Sequence, residues 1–491
     1  MNELTIYTGN DLLSMGCKPG PVVGVLLGIV NQKPHTQEEV AALIEAYALP
    51  PTLDLRDSPA PCQYNITASN EMEADNVAAV RTTMNLVLKT PCVIEGAVMP
   101  DACPAGPPGT IPVGGVVAAQ DAIIPGMHSA DICCSLMATV FDDVTPEAVL
   151  NAAHKSTHFG PGGRDAARAV ALPEALAASV DQISYPGLRD IARMHMGTQG
   201  DGNHFLYVGT LESSGQTVMV THHGSRGLGA RLYKHGRKIA ERFRKQLSPA
   251  TLPANAWIPF DTEEGREYWH ALQVVREWTR HNHDCLHELT RARAGAEVVH
   301  RFWNEHNFVF REETERSNVF WHAKGATPIH TEFMPDNDGV QIVPLNMAEP
   351  ILFVKGERNA SNRGFAPHGA GRNMSRTKHK KRMAGRTDEE IFNSETAGLD
   401  VRFYSGNIDI SELPGAYKNA ASVVRDMQDF GLAEVVDRVL PYGSIMSGDW
   451  QRNVSWKQMR ENKRNAKKQQ TRSARRVSKQ SLDLFEDGEN E

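Results

Sequence analysis

The sequence predicts a mixed fold of α-helices and β-strands, with one large domain between a helical N-terminal extension and a basic tail. Helical periodicity runs through residues 263–293, and an apolar strand, a glycine-rich turn and a helix follow one another across residues 218–230. From about residue 85, short β-type segments are separated by glycine and proline. These patterns together indicate a large core built from both kinds of element.

Residues 1–60 are predicted to form the helical extension. Thr36-Gln-Glu-Glu39 has the pattern of a capping box, and the apolar residues that follow it keep a helical spacing as far as Ala48. We expect this part of the chain to act as a helical cap or a docking surface.

Residues 61–449 are assigned to the main domain and residues 450–491 to the tail. The tail is basic between Arg460 and Arg476 and acidic toward Glu491, and it contains few apolar residues. Because such a segment cannot bury a core, we expect it to be disordered or to form at most a marginal helix. Its basic part is predicted either to contact nucleic-acid phosphates or to remain solvated.

The whole-chain composition is that of a soluble globular protein, with 41% hydrophobic and 23% charged residues among 491. No apolar run approaches the roughly 20 residues that span a bilayer, and no secretory signal is evident. Seven scattered cysteines indicate a reducing, cytoplasmic environment rather than a disulfide framework. The net charge of −7 argues against indiscriminate nucleic-acid binding but allows a local basic surface.

The densest chemistry lies in the stretch from His128 to Leu136, which leads into a predicted strand over Leu136–Phe141. In a turning chain Asp131 and Cys134 can converge on one point while Cys133 faces away. A carboxylate beside a thiolate suits a borderline divalent ion such as Mn²⁺, Zn²⁺ or Co²⁺. The alternative is that both cysteines pack as small hydrophobic residues.

Four later histidines support a site because each lies in a glycine- or asparagine-rich setting: His204, His222, His306 and His368. A strand end followed by a glycine turn and a helix, here from about Ala230, is a common site for anions and metals. Neither a Rossmann fingerprint nor a Walker loop is present in the sequence.

Three other stretches have more ordinary interpretations. His283 and His287 stand four apart in the predicted long helix and could bind a metal, but a solvated helix end is the preferred prediction. Residues 99–109 are predicted to be a long irregular loop that precedes a strand over Ile111–Ala119. The basic run from Lys378 to Arg386 is predicted either to be a solvated face or to contact phosphates.

Taken together and in this order, the motifs resemble the RtcB family of RNA-splicing ligases across roughly residues 85–448. The matching segments are Met99-Pro-Asp101, Val113-Gly-Gly-Val116, Asp131 with Cys134, Gly202–Phe205, His222–Gly229, His306-Asn307, Lys324–Thr327, His368–Arg376 and Ala416-Tyr-Lys418. So many motifs in one order are not expected to arise by chance.

The resemblance implies an α/β fold with a single large catalytic domain and a central metal cleft. Family members join an RNA 3′-phosphate or 2′,3′-cyclic phosphate end to a 5′-hydroxyl end in RNA repair or tRNA splicing. They use GTP and Mn²⁺, with two ions that Co²⁺ or Zn²⁺ could replace. The implied partners are RNA with such ends and an archease-like activating protein. No association with a membrane is implied.

The resemblance also implies roles for individual residues. His368 would be the nucleophile that becomes guanylylated. The ligands of the two-metal site would be Asp131, Cys134, His204, His222 and His306, with Cys134 as the bridge. The residues that contact the nucleotide would be Asn203, His204, Phe205, Gly369, Ala370, Gly371, Arg372 and Tyr417.

The sequence departs from the family pattern at four places around the nucleotide. A thiol, Cys103, stands where the family has a histidine, and Tyr207 stands where it has an acidic residue that bonds guanine. Pro344–Met347 replaces a glycine-containing loop, and Ser447 replaces a lysine. We therefore expect weaker discrimination between nucleotides than the family pattern implies.

Two other functions compete with a ligase. One is a metal-dependent hydrolase that opens cyclic phosphates on RNA ends without sealing them. The other is an RNA-binding protein with a vestigial site, whose affinity resides in the basic tail. Radiolabelled GTP distinguishes them, because only the ligase forms a covalent guanylate and only the hydrolase turns over a cyclic phosphate without one.

Overall fold

The computed structural model describes residues 6–47, 52–450 and 452. Its helices are α1 (Gly9–Ser14), α2 (Pro21–Val30), α3 (Gln37–Ala46), α4 (Glu71–Val87), α5 (Pro146–Ser156), α6 (Glu174–Asp181), α7 (Leu188–His195), α8 (Arg226–Leu247), α9 (Glu263–Ala294), α10 (Arg376–Arg382), α11 (Asp388–Glu395) and α12 (Ala420–Asp429).

Its strands are β1 (Cys62–Tyr64), β2 (Val93–Cys103), β3 (Val113–Gln120), β4 (Ala122–Ile123), β5 (Ser135–Asp142), β6 (Phe205–Leu211), β7 (Thr217–His223), β8 (Ile258–Pro259), β9 (Glu297–Glu305), β10 (Asn307–Glu313), β11 (Asn318–Lys324), β12 (Ala326–Pro328), β13 (Gln341–Val343), β14 (Ile351–Lys355), β15 (Phe365–Pro367), β16 (Asp400–Phe403) and β17 (Glu434–Met446). The α/β fold class is confirmed.

Two large sheets organise these strands. The first has the order β13-β14-β17-β6-β7-β5-β9, with β16 also paired to β17, and the second has the order β1-β2-β3-β11-β10. The chain passes from the first sheet to the second through His306, the single residue between β9 and β10. This crossing places one edge of the first sheet beside the second.

Four neighbouring strands of the first sheet end at that edge. β6, β7, β5 and β9 are adjacent and antiparallel. The first residues of some strands therefore lie beside the last residues of their neighbours along this side of the sheet. Phe205 pairs with His222, and Ser135 pairs with both His223 and Glu305. Residues far apart in sequence are therefore brought to one place by strand pairing.

The long helix α9 packs beneath these strands. Its range agrees with the predicted helix at 263–293, and it begins at the capping residue Thr262, whose side chain accepts from the Gly265 N–H. Tyr268 and Trp278 of α9 are fully buried in the largest hydrophobic cluster. Burial of each such side chain contributes about 1.5–3 kcal/mol, which holds α9 against the sheet.

The helices α1, α2 and α3 form a small hydrophobic cluster of their own around Leu12, Leu26 and Val30. The predicted capping box at Thr36 is present at the start of α3. The boundaries proposed at residues 60 and 449 stay predictions, and the basic tail from residue 453 lies outside the described residues. Among the residues that the structure does describe, no helix has the length and apolar character to cross a bilayer.

The prediction of an irregular loop over residues 99–109 is partly wrong, because β2 continues through Met99 to Cys103. The register between β2 and β3 shifts between Val98 and Cys103, and a bulge of this kind accommodates Pro100 within a strand. Helix α8 also begins earlier than predicted, at Arg226 rather than about Ala230.

Candidate active site

The strand ends described above bring five predicted metal-binding side chains into one cluster. Cys134 directly precedes β5, His204 directly precedes β6, His222 lies near the end of β7, and His306 directly follows β9. Asp131 comes from the loop before β5. Cys133, as predicted, turns away and is buried in the main hydrophobic cluster.

The cluster consists of two groups of ligand atoms that share the Cys134 thiol. Asp131, Cys134 and His204 form one group, and Cys134, His222 and His306 form the other, with all ligand atoms of a group within 4.8 Å of one another. The Cys134 Sγ lies 3.2 Å from His222 Nε2 and 3.7 Å from His204 Nε2. One thiol, three imidazoles and one carboxylate fit Mn²⁺, Co²⁺ or Zn²⁺, with Cys134 placed between two sites.

Backbone carbonyls orient two of the imidazoles. His204 Nδ1 donates to the Gln199 carbonyl at 2.6 Å, and His222 Nδ1 donates to the Asn203 carbonyl at 3.1 Å. A carbonyl oxygen can only accept, so Nδ1 carries a proton in both rings and Nε2 is the nitrogen left for a metal. His204 Nε2 lies 3.0 Å from Asp131 Oδ2. Both Nε2 atoms face the cluster, which is the arrangement that metal-binding histidines adopt.

Burial controls the charges of the cluster. Burial, with His204 nearby, lowers the pKa of His222 to about 3, and burial lowers the pKa of His306 well below its usual range. Burial, with the Asp131 carboxylate nearby, raises the pKa of the Cys134 thiol well above its usual range. For Asp131 burial is the largest single influence and favours the neutral form, but His204, Cys134 and His222 together outweigh it and lower the pKa of the carboxyl. A divalent cation that binds here would therefore have to displace the proton of the Cys134 thiol.

His368 lies beside this cluster, immediately after β15. Its ring centroid is 4.9 Å from that of His306, and its Nδ1 is 2.5 Å from Asp101 Oδ2, which also accepts from the His368 backbone N–H. Because the carboxylate engages Nδ1, Nε2 is the nitrogen that remains for chemistry. This pairing resembles the carboxylate and histidine of a nucleophile-activating triad.

A cavity of about 920 Å³ joins His368 and this cluster of candidate metal ligands. All of the predicted nucleotide-contacting residues except His204 line it: Asn203, Phe205, Gly369, Ala370, Gly371, Arg372 and Tyr417. Gly371 has a φ of +69°, and a Cβ there would collide with the Asp101 carbonyl, which is why glycine is needed.

Arg372 and Tyr417 are held by a buried carboxylate. Arg372 donates to Glu412 Oε2 at 2.7 Å and stacks over the Tyr417 ring, and Tyr417 donates to the same oxygen at 2.7 Å. Arg376 donates to Glu412 Oε1 at 2.7 Å. Two guanidinium groups on one carboxylate leave an excess of positive charge at this wall of the cavity, which suits an anionic ligand.

The residues that depart from the family pattern have different positions. Cys103 and the segment Pro344–Met347 line the cavity. Tyr207 also lines it, but its hydroxyl donates to the Val439 carbonyl at 3.0 Å. Ser447 instead is buried, donates to the Gly200 carbonyl and accepts from the Trp450 indole, away from the cavity lining.

Sequence reasoning misses two groups of this site and misjudges a pair of histidines that lie behind it. In the sequence Asp101 is only part of a motif, and Glu412 carries no local signal that it would pair with two arginines. The prediction of a solvated helix end for His283 and His287 is wrong, because both are fully buried. They face the paired strands β5 and β7, which provide hydroxyl partners that the helical pattern does not reveal.

Comparison with known proteins decides the family. A sequence profile described as tRNA-splicing ligase RtcB matches residues 165–447, more than half of the 491 residues. The chain belongs to the RtcB family. His204, His222, His306 and His368 lie inside the matched range, whereas Asp131 and Cys134 precede it and reach the same site through the fold.

Several proteins named tRNA-splicing ligase RtcB are similar to this chain. That of Pyrococcus horikoshii is 29% identical over 314 residues, which are 55% of this chain and 34% of that protein. That of Pyrococcus abyssi is 29% identical over 290 residues, 50% of this chain and 31% of that protein. That of Aeropyrum pernix is 29% identical over 288 residues, which are 50% of this chain and 58% of that protein. The match thus spans about a third of the length of the two Pyrococcus relatives.

Proposed function

We propose that this protein is an RNA ligase that joins RNA 3′-phosphate or 2′,3′-cyclic phosphate ends to 5′-hydroxyl ends, in RNA repair or tRNA splicing. The proposal includes GTP and two Mn²⁺ ions as cofactors and a guanylate carried by His368. The observation that carries it is the position of His368, which shares one cavity with a five-ligand cluster and has its Nδ1 engaged by Asp101.

In the proposed mechanism His368 Nε2 attacks the α-phosphorus of GTP. The N–P bond forms as the bond from phosphorus to the pyrophosphate oxygen breaks, and pyrophosphate leaves. The imidazole keeps its Nδ1 proton, and the positive charge that it acquires is balanced by the Asp101 carboxylate at 2.5 Å. Water first opens a 2′,3′-cyclic phosphate end to a 3′-phosphate. The guanylate then passes to an oxygen of the 3′-phosphate as the N–P bond to His368 breaks. The 5′-hydroxyl oxygen attacks the 3′-phosphorus, loses its proton to solvent and displaces GMP.

The two ions would be held by Asp131, Cys134, His204, His222 and His306. When bound, Mn²⁺ supplies charge that stabilises phosphates during transfer. Gly369 and Gly371 let a phosphate approach the backbone, and Arg372 provides a positive group at the same wall. No carboxylate is presented at Tyr207, whose hydroxyl is already bonded, so we propose weaker discrimination between guanine and other bases.

The test is incubation of the full chain with Mn²⁺ and each radiolabelled nucleoside triphosphate, followed by ligation of RNA with defined ends. Ligation is measured with and without an archease-like activating protein. A covalent guanylate and a joined product support the ligase. Opening of the cyclic phosphate without an adduct would replace it with the hydrolase, and RNA binding without either reaction would replace it with a vestigial site.

RNA binding is expected to depend on the basic helix α10 at the cavity rim. Lys378, Lys381 and Arg382 are exposed, and Lys378 also lines the cavity. Replacing all three with alanine should weaken binding and lower the salt dependence of the affinity, by about 0.7 in logarithmic slope for each RNA phosphate that is no longer neutralised. Fluorescence anisotropy at several salt concentrations measures both quantities.

The matched control removes three charges elsewhere, at the exposed residues Lys155, Lys234 and Lys238. It should leave the salt slope near that of the unmodified chain. An equal slope change in both triple variants would mean that net charge alone matters and would remove α10 from the RNA-binding surface.

Metal binding is expected to release protons. The pKa of the Cys134 thiol is raised, so the thiol is protonated at neutral pH, while the lowered pKa values of His222 and His306 leave these rings neutral. Binding must therefore release at least one proton, and affinity should fall about tenfold for each unit that the pH is lowered. Calorimetry in buffers of different ionisation enthalpy measures the released protons, and a pH-independent affinity would contradict thiolate ligation.

A further inference from the structure

A second group of buried histidines lies on the opposite face of the strands that carry the metal-binding cluster. In β7, His222 faces the cavity, so the alternation of a strand turns its neighbours Thr221 and His223 toward α9. On that face Ser135 and Thr139 of β5 meet His283 and His287 of α9. All are fully buried, and none has a role in the proposed chemistry: Ser135, Thr139, Thr221, His223, His283 and His287.

Hydrogen bonds connect most of these side chains into one continuous series. Arg301 Nε donates to Thr139 Oγ1 at 2.8 Å, which lies 2.7 Å from His287 Nδ1. His287 Nε2 is 2.8 Å from Thr221 Oγ1, and that oxygen is 2.7 Å from His283 Nδ1. His283 Nε2 is 3.0 Å from Ser135 Oγ, which in turn is 3.0 Å from the Cys133 carbonyl.

The direction of the series follows from its two ends. Arg301 can only donate and the Cys133 carbonyl can only accept. If Thr139 and Thr221 each donate to the Nδ1 of the next ring, and each ring donates from Nε2, every hydroxyl proton and every ring N–H has an acceptor. The reverse direction would leave the Thr139 proton without one. Burial lowers the pKa values of both rings well below their usual range, which keeps each of them neutral with a single N–H.

The series ends at Cys133, a residue of the loop before β5 whose backbone conformation is constrained. Cys133 has a φ of +55°, a left-handed conformation that β-carbon-bearing residues seldom adopt. Its N–H donates to the Asn307 carbonyl at 2.7 Å, and its carbonyl accepts from Ser135. Cys134 is the next residue along the chain. Two hydrogen bonds therefore hold the backbone of Cys133, one on each side of its Cα, and so fix the direction from which the chain presents the Cys134 thiol to the cluster.

We infer that the series from Arg301 through Thr139, His287, Thr221, His283 and Ser135 is a positioning device for the metal-binding edge. It supports the turn at Cys133 through Ser135 and supports the strand next to His222 through Thr221. Donor and acceptor bonds aligned in one direction strengthen each other in a dry interior, and the cationic start at Arg301 adds to this alignment. The inference rests on the proposed metal site but not on ligation.

The test is Thr221→Val, which removes the central hydroxyl with little change of shape. We expect the affinity for Mn²⁺ and Co²⁺ to fall by about 10–100-fold, as for other groups that orient metal ligands. The Co²⁺–thiolate absorption band should weaken or shift, because the Cys134 geometry changes. Thr221→Ser keeps the hydroxyl and should restore both the affinity and the band.

The matched control is Thr290→Val, at a buried threonine of α9 whose hydroxyl donates to the Leu286 carbonyl. It should lower the melting temperature of the metal-free chain but leave metal affinity unchanged. If Thr221→Val does not yield folded protein, Thr139→Val interrupts the series near Arg301 and should give the same signature in weaker form.

Unchanged metal affinity and an unchanged Co²⁺ spectrum in a folded Thr221→Val or Thr139→Val chain would overturn the inference. Reduced affinity that Thr221→Ser does not restore would also overturn it, because the hydroxyl would not be the cause. Absence of a guanylate adduct in the unmodified chain, with metal binding intact, would instead count against the proposed ligase and leave the positioning device standing.

Discussion

In His368→Ala we expect no covalent guanylate after incubation with GTP and Mn²⁺, and metal binding that equals that of the unmodified chain. His368 Nε2 is the only proposed attacking atom, and none of the five proposed ligands belongs to this residue. Small residues at Gly369 and Gly371 leave the space for the triphosphate in place. Mass spectrometry of the intact chain measures the adduct, and calorimetry measures the metal.

A second variant separates the nucleophile from its support. Asp101→Asn keeps His368 but removes the carboxylate that would balance the charged ring, so adduct formation should slow by about 100-fold or more. Metal affinity should be unaffected. A guanylate that persists in His368→Ala, for example on Lys324, whose pKa burial lowers to about 8, would overturn the assignment of the nucleophile.

Cys134→Ala should lower Mn²⁺ affinity more than any other single substitution in the cluster. The thiol belongs to both groups of ligand atoms, so its removal weakens two sites at once. Because removing a group that merely orients a ligand already costs about 10–100-fold, we expect a reduction of at least about 100-fold. Calorimetric titration with Mn²⁺, and with Co²⁺ as a spectroscopic substitute, measures the effect.

Cys133→Ala is the neighbouring control. This thiol is buried in the hydrophobic cluster and faces away from the site, so its removal should cost stability rather than metal affinity. The melting temperature of the metal-free chain should fall while the dissociation constant for Mn²⁺ stays close to its original value. An equal reduction of metal binding in the two variants would contradict the shared position of Cys134.

Cys103, Tyr207 and Ser447 depart from the family motifs, but the motifs alone do not tell which of these side chains face the cavity. All three are visible in the sequence as changes around a nucleotide. Only Cys103 and Tyr207 line the cavity, whereas Ser447 is bonded to Gly200 and Trp450 elsewhere. A substitution that is aligned with a binding residue need not face the ligand, because its side chain depends on the local packing.

The sequence by itself determined the elements and the donor chemistry of this protein. Helix α9 and strand β5 were predictable because periodicity and capping are local properties. The thiol, carboxylate and imidazoles of the cluster were predictable because glycine-rich strand ends around such side chains are also local. His368 and its glycines belong to the same class of signal.

Only the tertiary structure decided which of these groups meet. Asp101 and His368 are 267 residues apart, and their contact depends on how β2 and β15 pack rather than on either motif. His283 and His287 have the spacing of a solvated helix face, yet antiparallel pairing of β5 and β7 gives their rings buried hydroxyl partners. The partner of a polar side chain is set by sheet pairing and packing, which a local pattern does not contain.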